Sequence, residues 1–468
     1  MTIMNIIRAF IRYFNYFCMS FTIFLCVIYL IQLIVSYFKI RKENNRKIAE
    51  DFLRYADSDN LIPISLIIPA YNEQEHIVDN IQALMHLNYP EFEIVVVNDG
   101  SDDKTHKSVL EAFGLYPISL SYKLSIKTQN IRGIYYNKEY PNLIYVDKEN
   151  GGKSDALNAG INVSSYPLFA CLDADSRLEK DALLKLGYEF LKDTTTVVAG
   201  GLVRIANGSK VEDGEWQSFS MPTKMIEQLQ IVEYFRSFFS GRVCWGNGLL
   251  VVSGAFGVFN KQAVIDCGGY KLGTVGEDME IVVHIHKQMV KQKRKYSIKF
   301  CPDAVCWTQG PMSTKDLRSQ RRRWQVGLVD TLFTHFSMTF NPRYKTAGLL
   351  AMPYNWLFEF LGAIVEVLGF FVIPFSLIMG ELNGFFFAMY LLISLSLGVM
   401  LSVGGIILEQ KTRKGCMSAK QAMHLSGIAV LENLGYRQMI MLARVSGIIR
   451  FRKYREQWSK IKRKEFNQ

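Results

Sequence analysis

Charge is scarce in this chain. Of 468 residues only 21% are Asp, Glu, Lys or Arg, while 49% are hydrophobic and 13% aromatic. A chain stays disordered when it has too little apolar surface to bury, so this composition excludes disorder. The eight cysteines contain no Cys-x-x-Cys pair. Cys301 and Cys306 lie closest together and have no second pair to complete a zinc module, so reduced, cytosol-facing thiols are expected. An even spread of positive charge is also lacking. The net charge of +11 is carried wholly by Lys411 to Gln468, where 14 Lys and Arg face three acids, and the other 410 residues balance at 40 against 40. This excludes a generally basic nucleic-acid binder and suits a segment lying against anionic lipid headgroups.

Long uncharged runs are present. Tyr13 to Phe38 is 26 residues without a formal charge, enough to cross a bilayer and too long for the apolar part of a signal peptide. Asn5 to Tyr16, with Arg8 and Arg12, is expected to lie along the interface. Arg41, Lys42, Arg46 and Lys47 follow the run and place the downstream chain in the cytoplasm. Leu349–Met379, apolar apart from Glu359 and Glu366, and the uncharged Leu382–Leu408 are joined by Gly380–Glu381. They predict a membrane hairpin returning to the side of Lys411, Arg413 and Lys414. The apolar segment Leu425–Ile449 is broken by Glu432, Arg437 and Arg444. Crossing there would put the basic tail outside, so an interfacial or re-entrant helix is expected. Glu359 and Glu366 share one helical face, as do Arg437 and Arg444; charges within a membrane seldom stand alone, so Glu–Arg contacts between these helices are expected. The whole reads as a multi-pass protein of the plasma (inner) membrane with a cytoplasmic domain.

Between the membrane parts, residues 62–310 alternate apolar runs (Ile64–Ile68, Ile94–Val97, Leu168–Leu172) with helix-like stretches (Glu73–Met85, Lys153–Ile161, Lys180–Leu191). That alternation predicts an α/β domain with a doubly wound, mostly parallel sheet. Leu115–Asn142 receives no assignment. The organisation is therefore 1–47, an interfacial segment and transmembrane helix; 48–312, the cytosolic domain; 313–348, interfacial helices; 349–409, the hairpin; and 410–468, the basic end.

Ligands of such sheets bind beyond the carboxyl ends of the strands. Ile94-Val-Val-Val-Asn-Asp-Gly-Ser101 puts Asp99 at one such end, where it either holds a ribose or base edge or caps the next helix, with Asp102 as the rival cap. Gly152-Lys153-Ser154 looks like half a phosphate-binding loop, but position 147 is Asp where a full one needs Gly. A lysine at a helix start remains, which suits phosphate. Phe169-Ala-Cys-Leu-Asp-Ala-Asp175 ends an apolar run in two carboxylates, a donor set for a hard divalent cation that neutralises a diphosphate. Glu277-Asp278 opens another helix; its acids either complement the helix dipole or supply a general base. His284 and His286 are expected at the surface. Gln320-Arg-Arg-Arg-Trp324 is either a headgroup anchor or a diphosphate clamp with an indole for a sugar face.

In this order, the Asp99 turn, Asp173-Ala-Asp175, Glu277-Asp278 and the Gln-x-x-Arg-Trp spacing of 320–324 resemble the processive membrane glycosyltransferases of family 2, among them cellulose, hyaluronan, chitin and poly-N-acetylglucosamine synthases. The resemblance covers residues 60–330. It implies a GT-A domain embedded between transmembrane and interfacial helices, and an inverting hexosyltransferase using a UDP-sugar with Mg²⁺ or Mn²⁺. Tyr71 and Asp99 would hold the uridine, Glu73, Lys153 and Asp173 would lie at the donor nucleotide, and Gln320 and Arg323 would grip the diphosphate. Asp175 would bind metal, Asp278 would be the base with Glu277 beside it, and Trp324 would stack under the acceptor. The product would be a β-linked polysaccharide, with N-acetylglucosamine placed ahead of glucose, and export subunits are possible partners. Gly276 departs from the Thr usual in the family. No gating-loop motif or cyclic-dinucleotide-binding barrel is found. Single transfer to a polyprenyl phosphate, or a catalytically silent sugar-binding subunit, are the competing readings.

Overall fold

A computed structural model describes residues 3–49, 60–207, 210–212, 215–218, 220–412 and 417–454. Arg413, Lys414 and the basic residues from Arg455 onward, on which the expected tail rests, lie outside them. The strands are β1 (Ile64–Ala70), β2 (Phe92–Asp99), β3 (Tyr116–Ile118), β4 (Ile131–Tyr136), β5 (Leu143–Lys148) and β6 (Leu168–Cys171). They continue as β7 (Arg177–Leu178), β8 (Thr196–Ile205), β9 (Lys210–Glu212), β10 (Glu215–Ser218), β11 (Gly257–Asn260) and β12 (Ser297–Thr308). Ten of them form one sheet in the order β3-β4-β5-β2-β1-β6-β11-β8-β12-β7, while β9 and β10 form a separate hairpin.

The centre is parallel. β1 pairs with β2 and β6, and β2 with β5, all in the same direction. Every residue of β2 is buried, as a strand covered by helices on both faces must be. The register sets Ala70 beside Asn98 and Asp99 beside Lys148, so the strands end level and their following turns meet at one edge. Leu115–Asn142 contributes β3 and β4 at the rim, β4 antiparallel to β5 and β3 antiparallel to β4.

The helices flanking this sheet include α1 (Ile3–Ala49), α2 (Ile77–Met85), α3 (Thr105–Phe113), α4 (Lys153–Val163), α5 (Ala182–Lys192), α6 (Met225–Gly241), α7 (Lys261–Asp266), α8 (Glu277–Lys291) and α9 (Thr314–Thr334). Beyond them come α10 (Ala347–Ile378), α11 (Gly384–Thr412), α12 (Ala419–Leu431) and α13 (Arg437–Ile449). Among the described residues, three helices are long and apolar enough to cross a membrane: Ile3–Asn44, Ala347–Ile378 and Phe387–Thr412. Ile3–Ala49 is one continuous helix, so Asn5–Tyr16 is its first part. Leu425–Ile449 is divided between α12 and α13 by a break at Leu434 and Gly435. Gly435 has φ +91, a left-handed conformation that costs other residues more.

Ion pairs fasten the helices to the sheet domain and to each other. Arg204 at the end of β8 pairs with Glu409 of α11, both buried. Arg236 of α6 meets Glu432, beside the break, at 2.6 Å, and Ser402 of α11 donates to the same carboxylate. Arg444 meets Glu359 at 2.8 Å and Arg437 meets Glu366 at 2.9 Å, the contacts expected between these helices. Asn355–Leu361 of α10 is π-helical, and the Glu359 carbonyl accepts from Gln325 and Arg444.

His286 corrects an expectation. It is fully buried, bonded to the Tyr296 hydroxyl at 2.7 Å and the Leu249 carbonyl at 2.9 Å. Burial pushes its pKa down to about 4, which keeps it neutral. Its neighbours one turn away, Val282 and Met289, are buried too, and this is the face of α8 that packs inward.

Candidate active site

A cavity of about 1280 Å³ opens at the carboxyl ends of β1, β2 and β6 and runs on to Tyr29 and Gln32 of α1 and Arg444 of α13. All of Tyr71, Glu73, Asp99, Lys153, Asp173, Asp175, Glu277, Asp278, Gln320, Arg323 and Trp324 line it. Residues as far apart as Tyr71 and Trp324 thus reach one space because the ends of β1, β2 and β5 stand level and α8 and α9 pack over them.

The floor is made by Asp99. One of its carboxylate oxygens accepts from the Gly152 amide at 2.7 Å, the other from Gly151 at 3.0 Å and from Lys148 at 2.6 Å. Lys148 is fully buried and also meets Asp155 at 2.6 Å. Asp99 therefore anchors the turn that begins α4 and presents Lys153; it does not cap α3. Nor does Asp102: the side chain at the start of α3 that accepts from Thr105 is that of Asp103. At the rim, the Tyr71 hydroxyl donates to Asp102 at 3.2 Å, and the Glu73 amide donates to Thr105, tying the β1 turn to the β2 turn.

Lys153 bridges two groups that are distant in sequence. Its ammonium lies 2.7 Å from Asp173 and 3.1 Å from Glu277. Burial works against this charge, but the two carboxylates outweigh burial and raise its pKa. Beside it, Asp278 has its pKa raised by burial first and by the Glu277 carboxylate second, with Lys153 and Arg242 opposing. Burial plus a like charge is how a carboxylate becomes a better base near neutral pH. Gly276 before it touches Gly327 of α9: a Cβ there would lie 2.5 Å from Gly327 Cα. Backbone contact of this kind fixes the helix that begins with Glu277 and Asp278 against the helix carrying Gln320–Trp324.

On α9, Arg321 is committed to protein. Its guanidinium takes both oxygens of Glu233 on α6, at 2.9 and 2.7 Å, and donates to the Gln320 side chain. Tyr436 donates to the same Glu233 at 2.6 Å. Arg321 also lies 4.1 Å over the Trp324 ring, which remains 44% exposed. Arg323 and Gln320 reach the cavity wall. Asp173 and Asp175 supply hard oxygen donors at the end of β6, with Asp175 3% exposed. Among the described residues no group of three or more His, Cys, Asp or Glu converges on a metal position. A cation at these two aspartates would take its remaining ligands from a diphosphate and water, a mode that suits Mg²⁺ or Mn²⁺.

Lys148, Asp155, Glu233 and Tyr436 complete the site without any sequence signal of their own, being single polar residues in mixed surroundings. A level-ended parallel sheet with an acidic, lysine-bearing turn and a buried carboxylate of raised pKa defines a GT-A glycosyltransferase set among apolar helices. The chain belongs to glycosyl transferase family group 2, which it matches over residues 168–403, and it also matches glycosyl transferase family 2 over 65–268. It is 29% identical over 333 residues to a poly-β-1,6-N-acetyl-D-glucosamine synthase of Staphylococcus aureus, covering 70% of this chain and 68% of that one. With a synthase of the same description from Staphylococcus epidermidis, identity is 27% over 354 residues, covering 75% and 73%. A mannosyltransferase from Pyrobaculum calidifontis, solved with GDP-Man and Mn²⁺, superposes with a TM-score of 0.47 at 15% identity, covering 91% of this chain and 98% of that one.

Proposed function

We propose that this protein polymerises N-acetylglucosamine from UDP-N-acetylglucosamine into a β-linked polysaccharide, with its catalytic domain on the cytoplasmic side of the membrane. The observation that carries this reading is the single cavity joining the sheet end to the membrane helices, with Asp278 on its wall and Trp324 beside it. The 29% identity to a poly-β-1,6-N-acetyl-D-glucosamine synthase supports the choice of sugar.

The reaction needs one proton removed and one charged group released. Asp278 takes the proton of the acceptor hydroxyl, whose oxygen attacks the anomeric carbon from the face opposite the diphosphate. The carbon–oxygen bond to UDP breaks with its electron pair leaving on the diphosphate, so configuration inverts and no protein nucleophile is needed. Lys153, Gln320 and Arg323 stabilise the departing charge, and the Asp99-anchored turn with Tyr71 and Glu73 holds the nucleoside. Asp173 and Asp175 would hold a divalent cation, which would supply charge neutralisation of the diphosphate. Trp324 offers its exposed ring to the acceptor sugar, and Arg321 keeps that ring in place.

The test is UDP release by the solubilised protein across a panel of UDP-sugars with Mg²⁺ or Mn²⁺, alongside Asp278→Asn. Release confined to UDP-N-acetylglucosamine, abolished in the variant and accompanied by high-mass product, is expected. Release without polymer, with the label found in lipid, would replace the reading with single-sugar transfer.

A further inference from the structure

Six arginines around the cavity invite comparison. Arg236, Arg321, Arg437 and Arg444 each face a glutamate, Glu432, Glu233, Glu366 and Glu359 in turn, and Arg323 is engaged as well. Arg242 also lines the cavity, but among the described residues no carboxylate lies within ion-pair distance of it. Its Nη1 is buried with no hydrogen-bond partner. A guanidinium nitrogen left without water or partner is costly, and an oxygen-rich ligand in the cavity would offer it acceptors.

Its place shows which ligand. Arg242 follows the last residue of α6, with its amide bonded to the Phe238 carbonyl at 3.1 Å and its guanidinium 4.1 Å over the Phe238 ring. The next turn faces the membrane helices: Lys39 of α1 donates to the Cys244 carbonyl at 2.7 Å, and Trp245 meets Tyr354 of α10 edge-on at 5.0 Å. Burial pushes the Arg242 pKa down to about 10, and the carboxylate whose charge reaches it is that of Asp278. Arg242 thus stands between the base and the membrane side, while Lys153 with Asp173 and Glu277 occupies the nucleotide side. The Phe238 ring and the helix end would by themselves explain a cation here, but not an arginine that lines the cavity without a carboxylate partner.

We infer that Arg242 binds the acceptor: its guanidinium donates to hydroxyl or acetamido oxygens of the terminal sugar of the growing chain and sets that sugar's hydroxyl against Asp278. This rests on the polymerase reading given above. The fork of donors suits two neighbouring oxygens on one sugar ring, which a lysine would engage without that fixed planar geometry.

Full-length Arg242→Gln and Arg242→Lys in detergent distinguish the cases. UDP affinity by calorimetry reads the donor side, and the KM for an added tetramer of N-acetylglucosamine reads the acceptor side. In Arg242→Gln the acceptor KM is expected to rise about tenfold, with UDP released to water in place of polymer, while UDP affinity stays within about twofold of wild type. Arg242→Lys, which keeps the charge, is expected to fall between the two. Weakened UDP binding with an unchanged acceptor KM would overturn the inference in favour of a donor contact. Unchanged constants in both variants would reduce Arg242 to a helix-end residue. If Arg242→Gln does not fold, an acceptor KM for Arg242→Lys equal to wild type overturns the inference on its own. Failure of the polymerase reading is separate, since it shows in the wild type as release without high-mass product.

Discussion

The two ends of the cavity use the same residue types in opposite ways. At the sheet end, charges are crowded: Lys153 is shared by Asp173 and Glu277, and Asp278 is held beside them with a raised pKa. Toward the membrane, Arg242 apart, charges are matched one to one: Arg236, Arg321, Arg437 and Arg444 against Glu432, Glu233, Glu366 and Glu359. The crowded end can bind a charged nucleotide and drive a proton transfer. The matched end fastens helices together and leaves walls of little net charge, along which a neutral sugar chain would meet few unpaired ions. Matched burial of this kind adds little net stability but makes loss of either partner expensive.

The largest expected effect breaks the crowded end alone. Asp278→Asn keeps size and packing but removes the base, and polymer formation is expected to fall about a thousandfold with UDP affinity nearly unchanged. Retained turnover, measured by UDP release, would remove Asp278 from the role of base. Second is a break at the matched end. Glu233→Ala strands the buried Arg321, and a loss of about 3 kcal/mol of stability is expected, read as a lower melting temperature in detergent. Arg321 would no longer be held over Trp324, so the acceptor KM is expected to rise as well. A variant that melts with wild type would mean that Glu233 is not the partner that matters.

The same contrast explains what the sequence shows and hides. Continuous apolar runs made β1, β2 and β6 legible, and the carboxyl-end rule then pointed to Asp99, Asp173 and Asp175. Charges in apolar helices stand out, so the Glu359–Arg444 and Glu366–Arg437 contacts were legible from their spacing. β3 and β4 were not, because an edge pair with exposed residues, one of them Pro117, carries no apolar run. Lys148 and Arg242 were hidden for another reason. A single cation in a mixed segment looks like any surface lysine or arginine, and only the level strand ends and the end of α6 show it to be buried. His286 was misplaced because its i,i+2 spacing from His284 said nothing about which of the two faced inward.

A third break acts on the joint between the ends. Gly276→Ala would drive a Cβ to within 2.5 Å of the Gly327 backbone, and backbone cannot swing aside as a side chain can. Separation of α8 from α9 is expected, at a cost of about 2 kcal/mol, and Gly327→Ala should behave alike because it opens the same contact. Equal melting of Gly276→Ala and wild type would show that the two helices have room to move.

The smallest effect sharpens the comparison instead of breaking it. As the proposed base, Asp278 must be unprotonated to act, so activity is expected to be lost as pH falls through its raised pKa. Burial, the Glu277 carboxylate, Lys153 and Arg242 set that value between them. Glu277→Gln removes the neighbouring negative charge and also leaves Lys153 with one carboxylate fewer. Both changes favour ionised Asp278, so its pKa falls and the acid limb of kcat/KM against pH moves to lower pH. A maximum reduced by a weaker base is expected with it. An acid limb that stays in place, or moves up, would mean that crowding at the sheet end does not tune the base, and that Glu277 serves chiefly to hold Lys153.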